Sequence, residues 1–178
     1  MNTTVGELYL IESVKSFQGL KSNAEKAMEQ ISDLQFHEHP DEESNNVAII
    51  VKHLAGNMLS RFTDFLTSDG EKSDRNRDSE FIDEFTSRKE IMDYWEKGWS
   101  CVLNILKSLD QNDLQKIVTI RNEEHTVLRA IHRQLTHYAY HCGQIVFLCK
   151  HLKQKEFKSL SIPRGESEKF KTITPDKK

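Results

Sequence analysis

Apolar residues return every three or four positions along four segments of the chain. This spacing places them on one face of an α-helix. The pattern predicts helices over about residues 4–34, 47–66, 87–109 and 127–153. In the first helix it assigns the buried face to Leu8, Ile11, Val14, Phe17, Leu20, Ala24, Ala27 and Ile31. Ser87 and Glu90 have the spacing of a capping box, which supports the start of the third helix.

The segments between the predicted helices are polar. Residues 68–83 are too charged to be core, and Asp69-Gly70 marks a turn. Val118 and Ile120 alternate with polar neighbours before Arg121-Asn122, which predicts either a short hairpin or an extended connection. Four helices, each with one apolar face, predict an all-α fold, a four-helix bundle. Because the connections before the second and third helices are long, we expect one of them to be a crossover connection.

Length and composition fit a single domain. The chain has 178 residues, of which 37% are hydrophobic and 30% are charged, as is usual for a globular protein with amphipathic helices. We therefore predict one domain over residues 1–178. The bundle would occupy about residues 4–153, and a tail about residues 154–178. Pro163-Arg164-Gly165 in this tail is incompatible with a helix.

The charge and the cysteines limit the choice of compartment and partner. A net charge of −3 gives no reason to expect binding to nucleic acid or to an anionic membrane. No segment reaches the roughly 18 consecutive apolar residues of a membrane span, and residues 1–10 do not resemble a signal peptide. Cys142 and Cys149 would lie roughly 10 Å apart along one helix, which is too far for a disulfide. These features predict a reduced, cytoplasmic protein.

Two histidines in the fourth helix have the spacing of metal ligands. His137 and His141 are four residues apart, so they lie one helical turn apart on the same face. Two imidazoles so placed can bind one metal ion, although surface histidines that contact only solvent would show the same spacing. Zinc proteases with His-Glu-x-x-His carry a glutamate after the first histidine, but position 138 is Tyr. The sequence therefore argues against that class of enzyme.

His53 lies within an apolar run of the second helix, where a histidine needs a hydrogen-bond partner or a ligand. It is either a satisfied core histidine or a third ligand, and three histidines would match the protein ligand count of catalytic zinc sites. Asn57, one turn later, could face the same cavity, and Gln144 could hydrogen-bond a ligand imidazole. The remaining histidines are expected at the surface: His37, His39, His125, His132 and His151. Tyr138 and Tyr140 are interpreted as packing residues.

Two runs resemble the signatures of a known group, the DinB-like (DinB/YfiT) superfamily of metalloenzymes. They are His53-Leu-Ala-Gly-Asn-Met-Leu-Ser-Arg-Phe62 and His137-Tyr-Ala-Tyr-His-Cys-Gly-Gln-Ile145. The tail segment Leu160-Ser-Ile-Pro-Arg-Gly-Glu-Ser167 resembles an uncharacterised Bacillus-type subfamily of this group. The resemblance covers about residues 7–170. It implies a four-helix bundle with an unusual connection order, often dimeric, that holds a divalent metal on His53, His137 and His141.

The resemblance also implies a class of chemistry, because the superfamily includes transferases and isomerases that use low-molecular-weight thiols. The first hypothesis is therefore a metal-dependent enzyme, a thiol transferase or a hydrolase, with a small-molecule substrate and zinc, nickel or iron as its metal. The second hypothesis is a non-catalytic bundle that a metal only stabilises. We also expect a homodimer. Apolar residues in the tail support the dimer, unless they fold back on their own bundle: Phe157, Leu160, Ile162 and Phe170.

Overall fold

The computed structural model describes residues 2–85 and 87–170, and the fold is mainly helical, as predicted. The α-helices are α1 (Val5–Met28), α2 (Asp33–Phe36), α3 (Val47–Phe62), α4 (Arg88–Ser108), α5 (Val127–Lys153) and α6 (Ser167–Phe170). Short 3-10 helices cover Asp78–Phe81, Asp113–Gln115 and Gln154–Glu156, and strands β1 (Ile117–Ile120) and β2 (Glu123–Thr126) form a hairpin. Within the described residues, no helix is both long and apolar enough to cross a membrane.

The long helices begin where polar side chains cap them. The hydroxyl of Thr4 accepts a hydrogen bond from the Glu7 amide at 3.2 Å, and the Glu7 carboxylate accepts one from the Thr4 amide at 2.7 Å. Asn46 caps α3 through the Ile49 amide at 2.8 Å. Ser87 caps α4 through the Glu90 amide at 3.3 Å, as its spacing predicted. These caps satisfy amides that have no partner inside a helix.

The first two helices end earlier than predicted. α1 stops at Met28, and Ser32 starts the separate helix α2. α3 stops at Phe62 rather than at residue 66. The predicted buried face of α1 is also wrong at its start, because Leu8 and Ile11 are 46% and 47% exposed. Polar capping and turn residues override the apolar periodicity at these ends.

The core is built where the four long helices meet. Among these helices, α1 contacts α4 and α5, and α3 likewise contacts α4 and α5. Phe17 of α1, Trp99 of α4 and Tyr138 of α5 are fully buried, with ring centroids 5.8–6.4 Å apart. Edge-to-face contacts at these distances add to the hydrophobic stabilisation. In the tail, Phe157 and Leu160 pack against this core, so they give no support for a dimer; the side chain of Phe170 lies outside the described residues.

The connection between α3 and α4 covers part of α3 and contacts the hairpin. The Gly70 amide donates to the Thr119 carbonyl of β1 at 2.8 Å. The carboxylate of Asp69 accepts the amides of Arg121 and Asn122, both at 2.9 Å. Both residues have positive φ angles, 57° and 61°, as a tight two-residue hairpin turn requires. Of the two alternatives that the sequence left open, the structure has the hairpin.

Gly98 permits the close approach of α4 to α3, since a Cβ atom there would lie 3.0 Å from the Cα atom of Ala55. We expect Gly98→Val to lower the free energy of unfolding by about 1–3 kcal/mol, the usual cost of overpacking. Gly19→Val is the matched control, because a Cβ atom at that helical position meets nothing within 4 Å. Urea unfolding of both variants measures the difference. Equal stabilities would contradict the close-approach role of Gly98.

Candidate metal centre

Three imidazoles from two helices come together at one point. His53 projects from α3, and His137 and His141 project from successive turns of α5. The Nε2 atom of His137 lies 3.5 Å from Nε2 of His53 and 3.1 Å from Nε2 of His141. The ligand atoms of the three residues all lie within 4.8 Å of one another. The structure thus brings together the three histidines that the sequence singled out.

The spacing of the nitrogen atoms fits a metal ion. In a tetrahedral site with bonds of 2.0–2.1 Å, two ligand nitrogens stand about 3.3 Å apart. The two measured distances of 3.1 and 3.5 Å lie on either side of this value. Nδ1 of His53 donates to the Glu80 carboxylate at 2.9 Å, and Nδ1 of His141 donates to Oε1 of Gln144 at 2.7 Å. With Nδ1 protonated in both rings, each neutral imidazole keeps its Nε2 lone pair available to a metal.

Glu80 holds the ring of His53 from behind. Its carboxylate is buried and also accepts hydrogen bonds from Nε and Nη2 of Arg75, at 2.7 and 2.8 Å. Burial alone would raise the pKa of Glu80, but the hydrogen bonds from His53 and Arg75 outweigh it and lower the pKa below its usual value. Gly56 makes room for this carboxylate, because a Cβ atom at position 56 would lie 2.5 Å from Oε1 of Glu80.

A second carboxylate extends this arrangement to the hairpin. Glu71 accepts hydrogen bonds from Arg75 at 3.1 Å, from Arg61 at 2.8 Å and from Arg121 at 2.9 Å. Burial opposes its ionisation, yet the hydrogen bonds from Arg61 and Arg121 lower the pKa of Glu71 to about 2. These contacts join α3, the connection before α4 and the hairpin turn around the histidines.

The histidines of α5 are held in the neutral form that binds metals. Burial, followed by the neighbouring imidazoles, lowers the pKa of His137 to about 3. Burial likewise lowers the pKa of His141, although its hydrogen bond to Gln144 acts in the opposite direction. Since metal ions compete with protons for imidazole nitrogens, a site that disfavours protonation favours a metal.

A cavity of about 370 Å³ opens beside the imidazoles. Its walls combine two of the histidines with polar and cationic side chains: His53, Asn57, Arg61, Arg75, Arg77, Arg121, Arg133, Thr136, His137 and Tyr140. Asn57 faces this cavity, as the sequence suggested, and its side-chain oxygen accepts a hydrogen bond from the Tyr138 hydroxyl at 3.2 Å. Gln144 does not line the cavity and instead contacts His141. This volume lies within the range of small-molecule sites, although the lining is more polar and cationic than is usual for them.

Comparison with known families places the chain in one of them. Residues 4–166 match the family described as protein of unknown function (DUF1572). The chain belongs to this family. Searches of curated proteins and of solved structures found no match. Membership of the DUF1572 family therefore accounts for most of the chain but assigns no chemistry to the histidines.

The other histidines of this DUF1572 protein stay apart from the cluster. His132 and His151 are exposed, as predicted. The prediction that His125 lies at the surface is wrong, because this residue of β2 is only 5% exposed. His37 is half-buried and contacts Asp83 at 2.7 Å. Tyr138 is buried as a packing residue, whereas Tyr140 is 66% exposed and lines the cavity, so its interpretation as a packing residue is wrong.

The partners of His53 were not found from the sequence of this DUF1572 protein. Residues 68–83 were predicted to lie outside the core, but Glu80 and the Arg75 side chain are only 7% and 5% exposed. A signal was present in Phe81-Ile82, an apolar pair within an otherwise charged segment. The ring of Phe81 stacks on His53 with centroids 4.9 Å apart, which fixes Glu80 beside it.

The contact between Glu80 and His53 gives a direct prediction. We expect Glu80→Gln to weaken zinc binding by about 10–100-fold, the usual effect of removing the partner of a ligand imidazole. Gly56→Ala should also weaken it, because the new methyl group displaces the same carboxylate. Glu84→Gln is the control, since Glu84 is 62% exposed and contacts Lys52 instead. Zinc affinities measured by chelator competition test this, and an unchanged affinity in Glu80→Gln would contradict it.

Proposed function

We propose that this protein is a metal-dependent enzyme of the DinB-like superfamily that holds one divalent ion on His53, His137 and His141. The observation that carries the proposal is the convergence of one ring nitrogen from each of three histidines, all within 4.8 Å of one another, at the edge of a cavity. Zinc, nickel and iron all suit three imidazole ligands, and the residues do not select among them. Gln144 and Glu80 would orient two of the ligand rings through Nδ1.

The packing of the helices supports the finer fold assignment. α1 and α3 follow one another among the long helices, yet each contacts α4 and α5. This order is that of a four-helix bundle in which the chain crosses over between α1 and α3. We propose this crossover bundle, in one domain over residues 1–178, as the fold that links the protein to the DinB-like group.

The lining of the cavity supports chemistry on a small molecule. A divalent ion at the three histidines would act as a Lewis acid and lower the pKa of a thiol or of water at its open position. Because the three ligands are neutral, the atoms that bind the ion would cancel none of its charge. Asn57 lies on the cavity wall, where its amide can orient a substrate. A low-molecular-weight thiol with a small electrophile, in a transferase reaction, is the substrate pair that we propose.

The two buried cysteines offer no competing nucleophile. Cys142 is 2% exposed, and burial raises its pKa to about 12. Burial raises the pKa of Cys149 to about 12 as well. Thiols of this kind remain protonated near neutral pH and are poor nucleophiles.

A non-catalytic, metal-stabilised bundle is the alternative to an enzyme. A purely structural zinc site is normally closed by four protein ligands. Within residues 2–85 and 87–170, the only group of His, Cys, Asp and Glu side chains with metal-binding geometry comprises the three histidines. The adjacent cavity leaves room for a substrate, which favours the enzyme. A homodimer and a cytoplasmic location remain predictions that rest on the sequence.

Metal analysis of untagged protein tests the ligand set. We expect about one equivalent of a divalent metal in the unaltered protein and a sharp loss in each of His53→Ala, His137→Ala and His141→Ala, because two imidazoles bind far more weakly than three. His151→Ala is the control, since His151 is exposed and away from the cluster. Stoichiometric metal in the triple variant would show that the ligands lie elsewhere.

A thiol-transfer screen, with and without the bound metal, tests the activity. We expect turnover to require the metal and Cys142→Ser to retain most of the activity, because the buried thiol does not take part. Full metal occupancy without turnover of any thiol and electrophile pair would favour the structural alternative. Loss of turnover in Cys142→Ser, together with activity in metal-free protein, would contradict the mechanism.

A further inference from the structure

The cavity beside the histidines carries an excess of positive charge. Five arginines contribute to its walls and no acidic side chain does: Arg61, Arg75, Arg77, Arg121 and Arg133. The carboxylates in contact with these arginines are Glu71 and Glu80, which lie behind the wall. Five guanidinium groups are thus balanced by only two carboxylates in this region, although the whole chain has a net charge of −3. The positive charge is concentrated at the place where a substrate would enter.

Two of the arginines are already used by the protein. Arg75 donates hydrogen bonds from Nε and Nη2 to Glu80 and from Nη1 to Glu71. Arg61 donates to Glu71 and to the Gly70 carbonyl, but its Nε atom is buried and has no partner. A buried N–H group without an acceptor is costly. An acceptor bound in the cavity could satisfy it.

The other three arginines keep donors available. Arg77 and Arg133 are exposed and form no ion pair with any residue that the structure describes. Arg121 contacts Glu71 through Nε alone and is 50% exposed, so both of its terminal nitrogens remain available. These side chains come from the connection before α4, from the hairpin turn and from α5, where Arg133 lies one turn before His137. Three separate segments of the chain therefore each contribute a guanidinium group to the same cavity.

We propose that this arginine-lined cavity binds the oxyanion group, a carboxylate or a phosphate, of a small substrate. Guanidinium groups match both oxyanions with paired N–H donors. The inference rests on the proposed function for the placement of the reacting atom, since an oxyanion held by Arg77, Arg121 and Arg133 would leave the rest of the substrate beside His53 and His137. A volume of about 370 Å³ suits a small molecule rather than a polymer.

Calorimetric titration of the full chain with inorganic phosphate and with malonate tests this inference, in metal-free and zinc-loaded protein. We expect one anion per chain, bound without the metal, and the tighter of the two assigns the oxyanion class. Arg77→Gln and Arg133→Gln should each weaken binding about tenfold, as the loss of a charge-assisted hydrogen bond would. Arg129→Gln is the matched control, because Arg129 is an exposed arginine of α5 outside the cavity. Zinc affinity should be the same in all three variants.

The outcomes separate this inference from the proposed metal site. Zinc binding without binding of either anion would overturn the oxyanion site and leave the metal site standing. Anion binding that depends on Arg77 and Arg133, in a protein that binds no zinc, would uphold the oxyanion site and overturn the metal site. An equal loss of affinity in Arg129→Gln would show that the net charge of the protein, and not the cavity arginines, controls anion binding, and it would overturn the oxyanion site. Displacement of the small anion by a single-stranded oligonucleotide at equal concentration would overturn the assignment to small molecules.

Discussion

The buried carboxylate of Glu80 is the constraint on which the candidate site depends. An ionised carboxylate is costly to bury unless hydrogen bonds replace its lost hydration. Glu80 meets this requirement with Arg75 on one side and His53 on the other. The His53 ring is therefore oriented by the hydrogen bond that the buried carboxylate requires. Gly56 leaves the space that this carboxylate occupies, because glycine has no side chain.

The need of buried charges for partners of opposite charge also explains the positive charge of the cavity. Arg75 is also buried, so it requires a second carboxylate, Glu71, which in turn contacts Arg61 and Arg121. Each buried charge in this network requires a partner of opposite charge. The outermost groups of the network are the arginines at the cavity wall, not carboxylates. The excess of guanidinium groups thus lies next to the imidazoles, so an anion bound there would interact with the arginines and lie close to the histidines.

The helices and the pairing of His137 with His141 were predictable because both depend on local spacing, whereas His53 joined them through the resemblance to the DinB-like group. Periodic apolar residues specify a helix face, and His137 and His141 need only one turn of α5 to meet. Glu80 was not predictable in this way, since 27 residues separate it from His53 and its own segment is charged. The exposure of Leu8 and Ile11 and the burial of His125 likewise depend on tertiary contacts. Local pattern and the resemblance identified the three histidines, whereas the contacts that support them arise from the folding of the loop onto α3.

The His53–Glu80–Arg75 arrangement is difficult to explain as a device for stability alone. Replacing buried ion pairs by well-packed apolar residues is often neutral or stabilising, so such pairs are weak contributors to folding. The imidazoles are also crowded together, with Nε2 of His137 at 3.1 Å from Nε2 of His141 and at 3.5 Å from Nε2 of His53. A metal ion bound to the three nitrogens would stabilise the native state, since a ligand present at 100 times its Kd contributes about 2.7 kcal/mol. Binding of a cation would therefore give this buried polar arrangement a stabilising role that its ion pairs alone do not provide.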